Sequence, residues 1–311
     1  MTEGSFREWI YSFHMPLFFF LAGAVVSLGP FKTFIRKKIK GILLPYLLYG
    51  IVLISFDFIQ FYISGQAPEV YKDVLFRFFI FARKYILWFL PCLFCTNILF
   101  WIFMQIHRVW LRRFCIVLTV AAVFVYYSRG GEKLPWSLDT SCIALLFFYL
   151  GYEYKIHRKK WVERIEKSKI QSIVAGGILL AVNFILNRIS IYCTGERLDM
   201  NSNWYGVIWL SIPAALAGIL FVLVVSSLVD VKGLSYIGKN SMTYYALHYM
   251  LITILSASLW RQVRSMINAN IPMGVYVIVD LLICILLLTL VNIVIKQMSS
   301  FWENIKRAKN T

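Results

Sequence analysis

The chain has 311 residues and a mass of 36.2 kDa, of which 60% is hydrophobic and only 15% charged, against roughly 25% charged in soluble domains. A mean hydropathy of +0.70, with 25 Phe, 18 Tyr and 10 Trp, is more apolar surface than water-facing shells can hide, which excludes a soluble protein. The net charge of +17 would suggest nucleic acid in a soluble chain; in a membrane chain its distribution decides what it means.

Apolar runs of spanning length predict an all-α, polytopic transmembrane helical bundle of about nine spans within a single membrane domain, 1–311. In chain order they are Ile10 to Leu28, Ile42 to Ile63, Ile86 to Ile106, Phe114 to Tyr127, Leu138 to Tyr154, Ile170 to Asn187, Gly206 to Val229, Ser241 to Trp260 and Met273 to Ile295. The fourth is short enough to be tilted or re-entrant. The longest connections are Ser64 to Tyr85, Lys155 to Lys169 and Arg188 to Tyr205, and the basic second one reads as a topology-setting loop or a surface helix with Trp161 at the interface.

Lys and Arg divide unequally between alternate loops, 21 on one side against 11 on the other. By the positive-inside rule the richer side, holding Lys32 to Lys40, Arg108 to Arg113, Lys155 to Lys169 and the tail, is cytosolic. The basic balance is therefore mostly topology, with room for an anionic ligand or lipid headgroup, and nucleic acid is not expected. The C-terminus falls inside and the N-terminus outside, in a multi-pass protein of the cell membrane. Only nine residues precede the first span, with no basic segment and no cleavage pattern, so a preceding span is expected to be missing. The aromatic, Lys- and Ile-rich composition is compatible with a bacterium of low G+C content.

Cysteines say little. Cys92 and Cys95 form a C-x-x-C, but within a Phe- and Leu-rich helix and without a second pair, so no metal site is expected.

The informative residues are the polar ones that lipid excludes. His14 lies one turn inside the outer end of the first span, where Pro16 bends or breaks the helix start; Asp57 and Asp139 lie near outer ends; and Trp88 enters beside a helix that Pro91 is expected to kink. On the cytosolic half are Glu153, His248 and the basic run Arg36 to Lys40, while Asp280 sits in the last span with no evident partner in the sequence. Each also has an ordinary structural reading: His14 as an interfacial hydrogen bonder, Asp139 as a helix N-cap, Glu153 as a partner of Lys155 or Arg158, Trp88 as a belt anchor.

Together, the segments FHMPLFFFLAG, KKIKGILLPYLLYG, LWFLPCLF, LPWSLD, FFYLGYEYK, LDMNSNWYG and IGKNSMTYYALHYM resemble the acyltransferase 3 family of integral-membrane acyltransferases, in its fucose 4-O-acetylase-like branch. The resemblance runs from about Trp9 to His248. It implies a ten-span bundle, here lacking the first span and its catalytic His, and transfer of an acetyl or other short acyl group from cytosolic acyl-CoA to a hydroxyl of an envelope or exopolysaccharide sugar. Acyl-CoA is then a cosubstrate, with no tightly bound cofactor; the partners are the bilayer, the sugar acceptor and possible polysaccharide-assembly proteins. Two positions depart from the family pattern: its Ser-Gly reads Ala22-Gly23, and its Arg-x-x-Arg reads Lys37-Lys38-Ile39-Lys40, which keeps charge and loses the guanidinium fork.

On that resemblance Lys37, Lys38 and Lys40, with Glu153 and His248, are the acyl-CoA-binding set, and a basic mouth suits the phosphates of coenzyme A. His14 is the outer-side general base and Asp139 its possible orienting partner. Trp88 and Tyr205 are expected to stack on a sugar, and Asn201 and Asn203 to bond its hydroxyls. The rival readings are a transporter or flippase of a lipid-linked sugar, which predicts internal pseudo-symmetry that the sequence lacks, and an inactive remnant acting in polysaccharide assembly.

Overall fold

The computed structural model describes residues 3–65, 67–83, 85–229, 231–254 and 273–308. They form an all-α polytopic bundle whose helices group into two compact units, Met1–Asp230 and Val231–Thr311. The first contains α1 (Glu3–Tyr11), α2 (His14–Ala24), α3 (Phe31–Lys38), α4 (Leu44–Ile63), α5 (Pro68–Phe76), α6 (Phe89–Met104), α7 (Val109–Ser128), α8 (Leu138–Lys167), α9 (Lys169–Thr194) and α10 (Ile208–Leu228). The second contains α11 (Lys232–Lys239), α12 (Ser241–Ile254) and α13 (Met273–Ala308).

Among the described residues six stretches are long and apolar enough to cross a membrane: Phe31–Ile63, Glu69–Met104, whose helix is interrupted at Ala82 and Tyr85, Val109–Ser128, Lys169–Thr194, Ile208–Leu228 and Ile278–Gln297. The other three predicted spans differ in kind. Ile10 to Leu28 is divided into the short helices α1 and α2, and Leu138 to Tyr154 is the first part of the 30-residue α8, which carries Asp139 and Glu153. Ser241 to Trp260 is helical as far as Ile254, and 255–260 lie outside the described residues.

Prolines set the breaks. Pro16 has no N–H for the Ser12 carbonyl, and the α1–α2 break falls at Ser12 and Phe13, as the sequence predicts. Pro45 leaves the Gly41 carbonyl without its usual donor, and Ile39–Leu43 widens into a π turn that carries α3 into α4. The basic run Lys32 to Lys40 is therefore helical and continuous with its span rather than a loop. Pro91 sits in the first turn of α6, where an unpaired N–H is harmless, so it starts that helix after the turn Ile86–Trp88 instead of kinking it. Within the expected loop Ser64 to Tyr85, residues 68–81 are helical. Lys155 to Lys169 is no separate surface helix either: α8 runs straight through to Lys167, about 45 Å at 1.5 Å per residue, and so outreaches a hydrocarbon core of about 30 Å.

The pair α2 and α8 organises the first unit. A Cβ at Gly23 would collide with the Phe148 carbonyl, and one at Gly151 with the Phe20 carbonyl, so these glycines let the two backbones touch. Farther along, Lys155 Nζ donates to the Val26 carbonyl (2.6 Å), and at the opposite end Pro16 lines a small cavity with Ile143 and Phe147. Numbers rise together along both helices, so they run parallel, and His14 stands level with the start of α8. The core divides into one cluster around Phe19, Trp88, Phe147, Met200 and Tyr205 and another around Phe34, Phe100, Phe148 and Tyr149.

Candidate functional site

At the first turn of α8 the structure assembles a buried polar cluster. The Asp139 side chain is 0% exposed and the Arg83 side chain 8%; the guanidinium donates to the carboxylate. Tyr127 Oη donates to the same carboxylate, as do Asn203 Nδ2 (2.9 Å), the Leu134 N–H (3.2 Å) and the Thr140 N–H (2.8 Å). Asp139 is not the N-cap, a position that Ser137 holds; it lies in the first turn as a buried anion whose lone pairs are taken up by one cation and four neutral donors, the pattern that makes a buried charge tolerable.

The connection Gly195 to Val207 closes over this cluster. Asp199 and Trp204 exchange two backbone hydrogen bonds (2.7 and 3.0 Å), and the Asp199 carboxylate accepts the N–H groups of Asn201 and Ser202, an Asx turn. The Asn201 carbonyl takes Arg83 (2.7 Å) and the Met200 carbonyl takes Thr140 Oγ1 (3.2 Å). Asn203 stands at φ 60° and commits its whole amide: Nδ2 to Asp139 and Tyr127, Oδ1 to Thr140 (2.8 Å) and Tyr205 (3.3 Å). Burial pushes the Tyr205 phenol well above its ordinary value, which keeps it a neutral donor.

Backbone strain gathers here too. Among the described residues the non-glycine left-handed positions are Ala82, Tyr85, Trp136, Ser137 and Asn203, which flank Arg83, lead into Asp139 or belong to the closing loop. Such conformations persist where surrounding contacts over-determine them, and they concentrate at functional sites.

His14 opens α2 at the same level, beside this cluster rather than inside it. Its Nδ1 faces the Ile10 carbonyl (3.0 Å); a carbonyl only accepts, so Nδ1 carries the proton and Nε2 keeps its lone pair. Tyr11 packs edge-on against the ring (4.7 Å), the Arg197 guanidinium lies 4.3 Å over Tyr11, and Asp199 is within electrostatic reach of the imidazole. The expected His14–Asp139 pair is not made: Asp139 is saturated by other donors, and the carboxylate near His14 is Asp199.

The residues expected to contact a sugar have other occupations. Trp88 and Tyr205 are each 7% exposed and packed in the core with Phe19, Cys92 and Met200, so neither ring offers an open face. Asn203 is internally satisfied, whereas Asn201 Oδ1 is buried without a partner, as are Arg83 Nε and Arg197 Nε. Ser137 Oγ, at the entry to α8, is buried without a partner as well.

About four turns along α8 lies a second polar cluster. Glu153 accepts Tyr149 Oη (2.6 Å) and Arg113 (3.1 Å); the expected partners Lys155 and Arg158 do not take it, since Lys155 caps α2 at Val26. Lys38 Nζ lies 5.3 Å over Phe34, whose ring belongs to the apolar cluster of Tyr149, while Lys37 and Lys40 are exposed. A shallow basic cleft of about 560 Å³ follows, lined by Lys155, Arg158 and Lys159. His248 belongs to the second unit, with Nδ1 on the Tyr244 and Tyr245 carbonyls (3.0 and 2.9 Å), beside the α12–α13 bonds Thr243–Asn292 and Tyr244–Thr289. The acyl-CoA set read from the sequence is therefore divided between the two units. Elsewhere Asp57 accepts Tyr85 Oη (2.7 Å), and Asp280 is not an isolated charge.

Arg83, Tyr127, Arg197 and Asp199 escape the sequence reading. The signal for Arg83 is physical: a carboxylate as deep as Asp139 needs a cation, and the segment before Ile86 supplies it.

The fold and these two polar ends define a multi-pass, all-helical membrane protein with ionisable groups held inside its apolar bundle. The model of the acyltransferase 3 family, described as an acyltransferase domain, matches residues 3–291, and the chain belongs to that family of membrane acyltransferases. No curated protein and no solved structure matches it.

Proposed function

We propose that the chain moves an acetyl or other short acyl group from acyl-CoA, bound at the Glu153 end on the cytosolic side, to a hydroxyl of an envelope or exopolysaccharide sugar at the Asp139 end. The observation that carries this reading is the α2–α8 pair. The same two helices hold His14 and Asp139 at one end and Glu153 with its surrounding cations at the other, about 21 Å apart along α8. That span is most of a bilayer core.

In this reading Lys37, Lys38 and Lys40 draw the phosphates of the donor to the basic end. His14 Nε2 takes the proton of the acceptor hydroxyl as its oxygen attacks the thioester carbonyl; the carbon–sulfur bond breaks, and the imidazolium returns that proton to the departing thiolate, so that coenzyme A leaves as the thiol and the base is restored. Asp199 favours the imidazolium that forms, the role first expected of Asp139. Asp139 instead holds Arg83, Tyr127 and Asn203, and through them the closing loop, so that Asn201 Oδ1, Arg83 Nε and Arg197 Nε meet the acceptor. His14→Ala at equal membrane abundance is expected to abolish acyl transfer to envelope polysaccharide; unchanged transfer overturns the assignment.

A further inference from the structure

The Glu153 end contains a cation that neither topology nor the bonds above explain. Arg112, in the first turn of α7, is 8% exposed, and its Nε is buried without a hydrogen-bond partner. Its guanidinium stands 5.5 Å over the Tyr149 ring. Among the described residues no carboxylate pairs with it, because Glu153 takes Arg113 and Tyr149. A cation–π contact is worth less than the desolvation of a buried charge without a counter-charge.

A second observation points the same way. The first turn of α7 has no acidic residue, yet Arg108, Arg112 and Arg113 gather there, where the helix dipole is already positive. Positive-inside topology asks only that cations lie on this side, and it is served by side chains whose heads reach water, as Arg113 does at 57% exposure. It does not call for one folded into the interior against Tyr149.

We propose that Arg112, with the free N–H groups of the first turn of α7 and with Arg108 at the rim, forms a phosphate-binding subsite. A planar guanidinium fork at a helix N-terminus is matched to a phosphate ester. That chemistry comes from two sources, the phosphates of acyl-CoA or the headgroup of an anionic lipid. The first rests on the donor reading above; the second does not.

The test uses the full chain in nanodiscs of purely zwitterionic lipid, titrated with coenzyme A and with 3′-dephospho-coenzyme A. In parallel, native mass spectrometry measures retention of added phosphatidylglycerol. Arg112→Gln is expected to weaken coenzyme A binding at least tenfold. Arg112→Lys, which keeps the charge and guards against misfolding, is expected to weaken it several-fold at an unchanged melting temperature, and Arg164→Gln, on the exposed face of α8, less than twofold. Loss confined to coenzyme A identifies its 3′-phosphate as the bound group, and equal loss with the dephospho form identifies the pyrophosphate. Unchanged coenzyme A binding with a tenfold fall in phosphatidylglycerol retention assigns the subsite to lipid. If the unaltered protein binds no coenzyme A, the donor reading fails and the lipid arm alone decides. Equal coenzyme A binding and equal lipid retention in both Arg112 variants and the parent overturn the subsite.

Discussion

Helix α8 carries a carboxylate near each end of its apolar stretch, and the protein treats them in opposite ways. Asp139 is sealed among Arg83, Tyr127, Asn203 and two backbone N–H groups, in a cluster flanked by strained backbone. Glu153 is 21% exposed and holds an arginine that is itself mostly in water, amid an excess of cations. One end is sealed with its central charge paired; the other is open and electrostatically unbalanced. A balanced cluster suits the ordering of a loop over an acceptor, and an unbalanced one suits the capture of a polyanionic donor.

That contrast can be broken from either side. The largest effect is expected from Asp139→Ala, which leaves Arg83 buried without its counter-charge. It should cost about 3–5 kcal/mol, read as a fall in melting temperature of the detergent-solubilised protein, with Arg83→Met in the same background restoring part of the loss. His14→Ala should act on chemistry alone, lowering acyl transfer about 100-fold or more while the melting temperature stays put, because its bond is local to its own helix break. Gly151→Val forces a side chain into the Phe20 carbonyl and should destabilise the α2–α8 contact by about 1–3 kcal/mol, visible in the same melts. The smallest effect belongs to Glu153→Gln: with Arg113 57% exposed, its stability change should stay within about 1 kcal/mol, and a larger one would show that the two ends are not as different as the burial implies.

The sequence made the apolar helices legible because hydropathy is a property of composition, and it made the α1–α2 break legible because Pro16 cannot donate to Ser12. His14, Asp139 and Glu153 stood out because lipid penalises ionisable groups. Their partners did not. Arg83 is one of the Lys and Arg residues counted for topology and Tyr127 only the end of a predicted span, until the fold brings both to Asp139. The parallel contact of Gly23 with Phe148 and of Gly151 with Phe20 joins residues far apart in the chain and leaves no local period to read. Asn203 was singled out for a sugar and is instead spent on Asp139, Tyr127 and Thr140, because a polar loop residue looks the same whether it faces a ligand or a buried neighbour.

The central claim is that donor and acceptor meet the protein from opposite ends of α8. Its most direct test supplies radiolabelled acetyl-CoA to sealed membrane vesicles of both orientations from producing cells and follows label into envelope polysaccharide. The account predicts incorporation when the Lys155–Lys167 face is exposed to the donor, no incorporation in sealed vesicles of the other orientation until they are permeabilised, and none in either with His14→Ala. Equal incorporation by sealed vesicles of both orientations would contradict it.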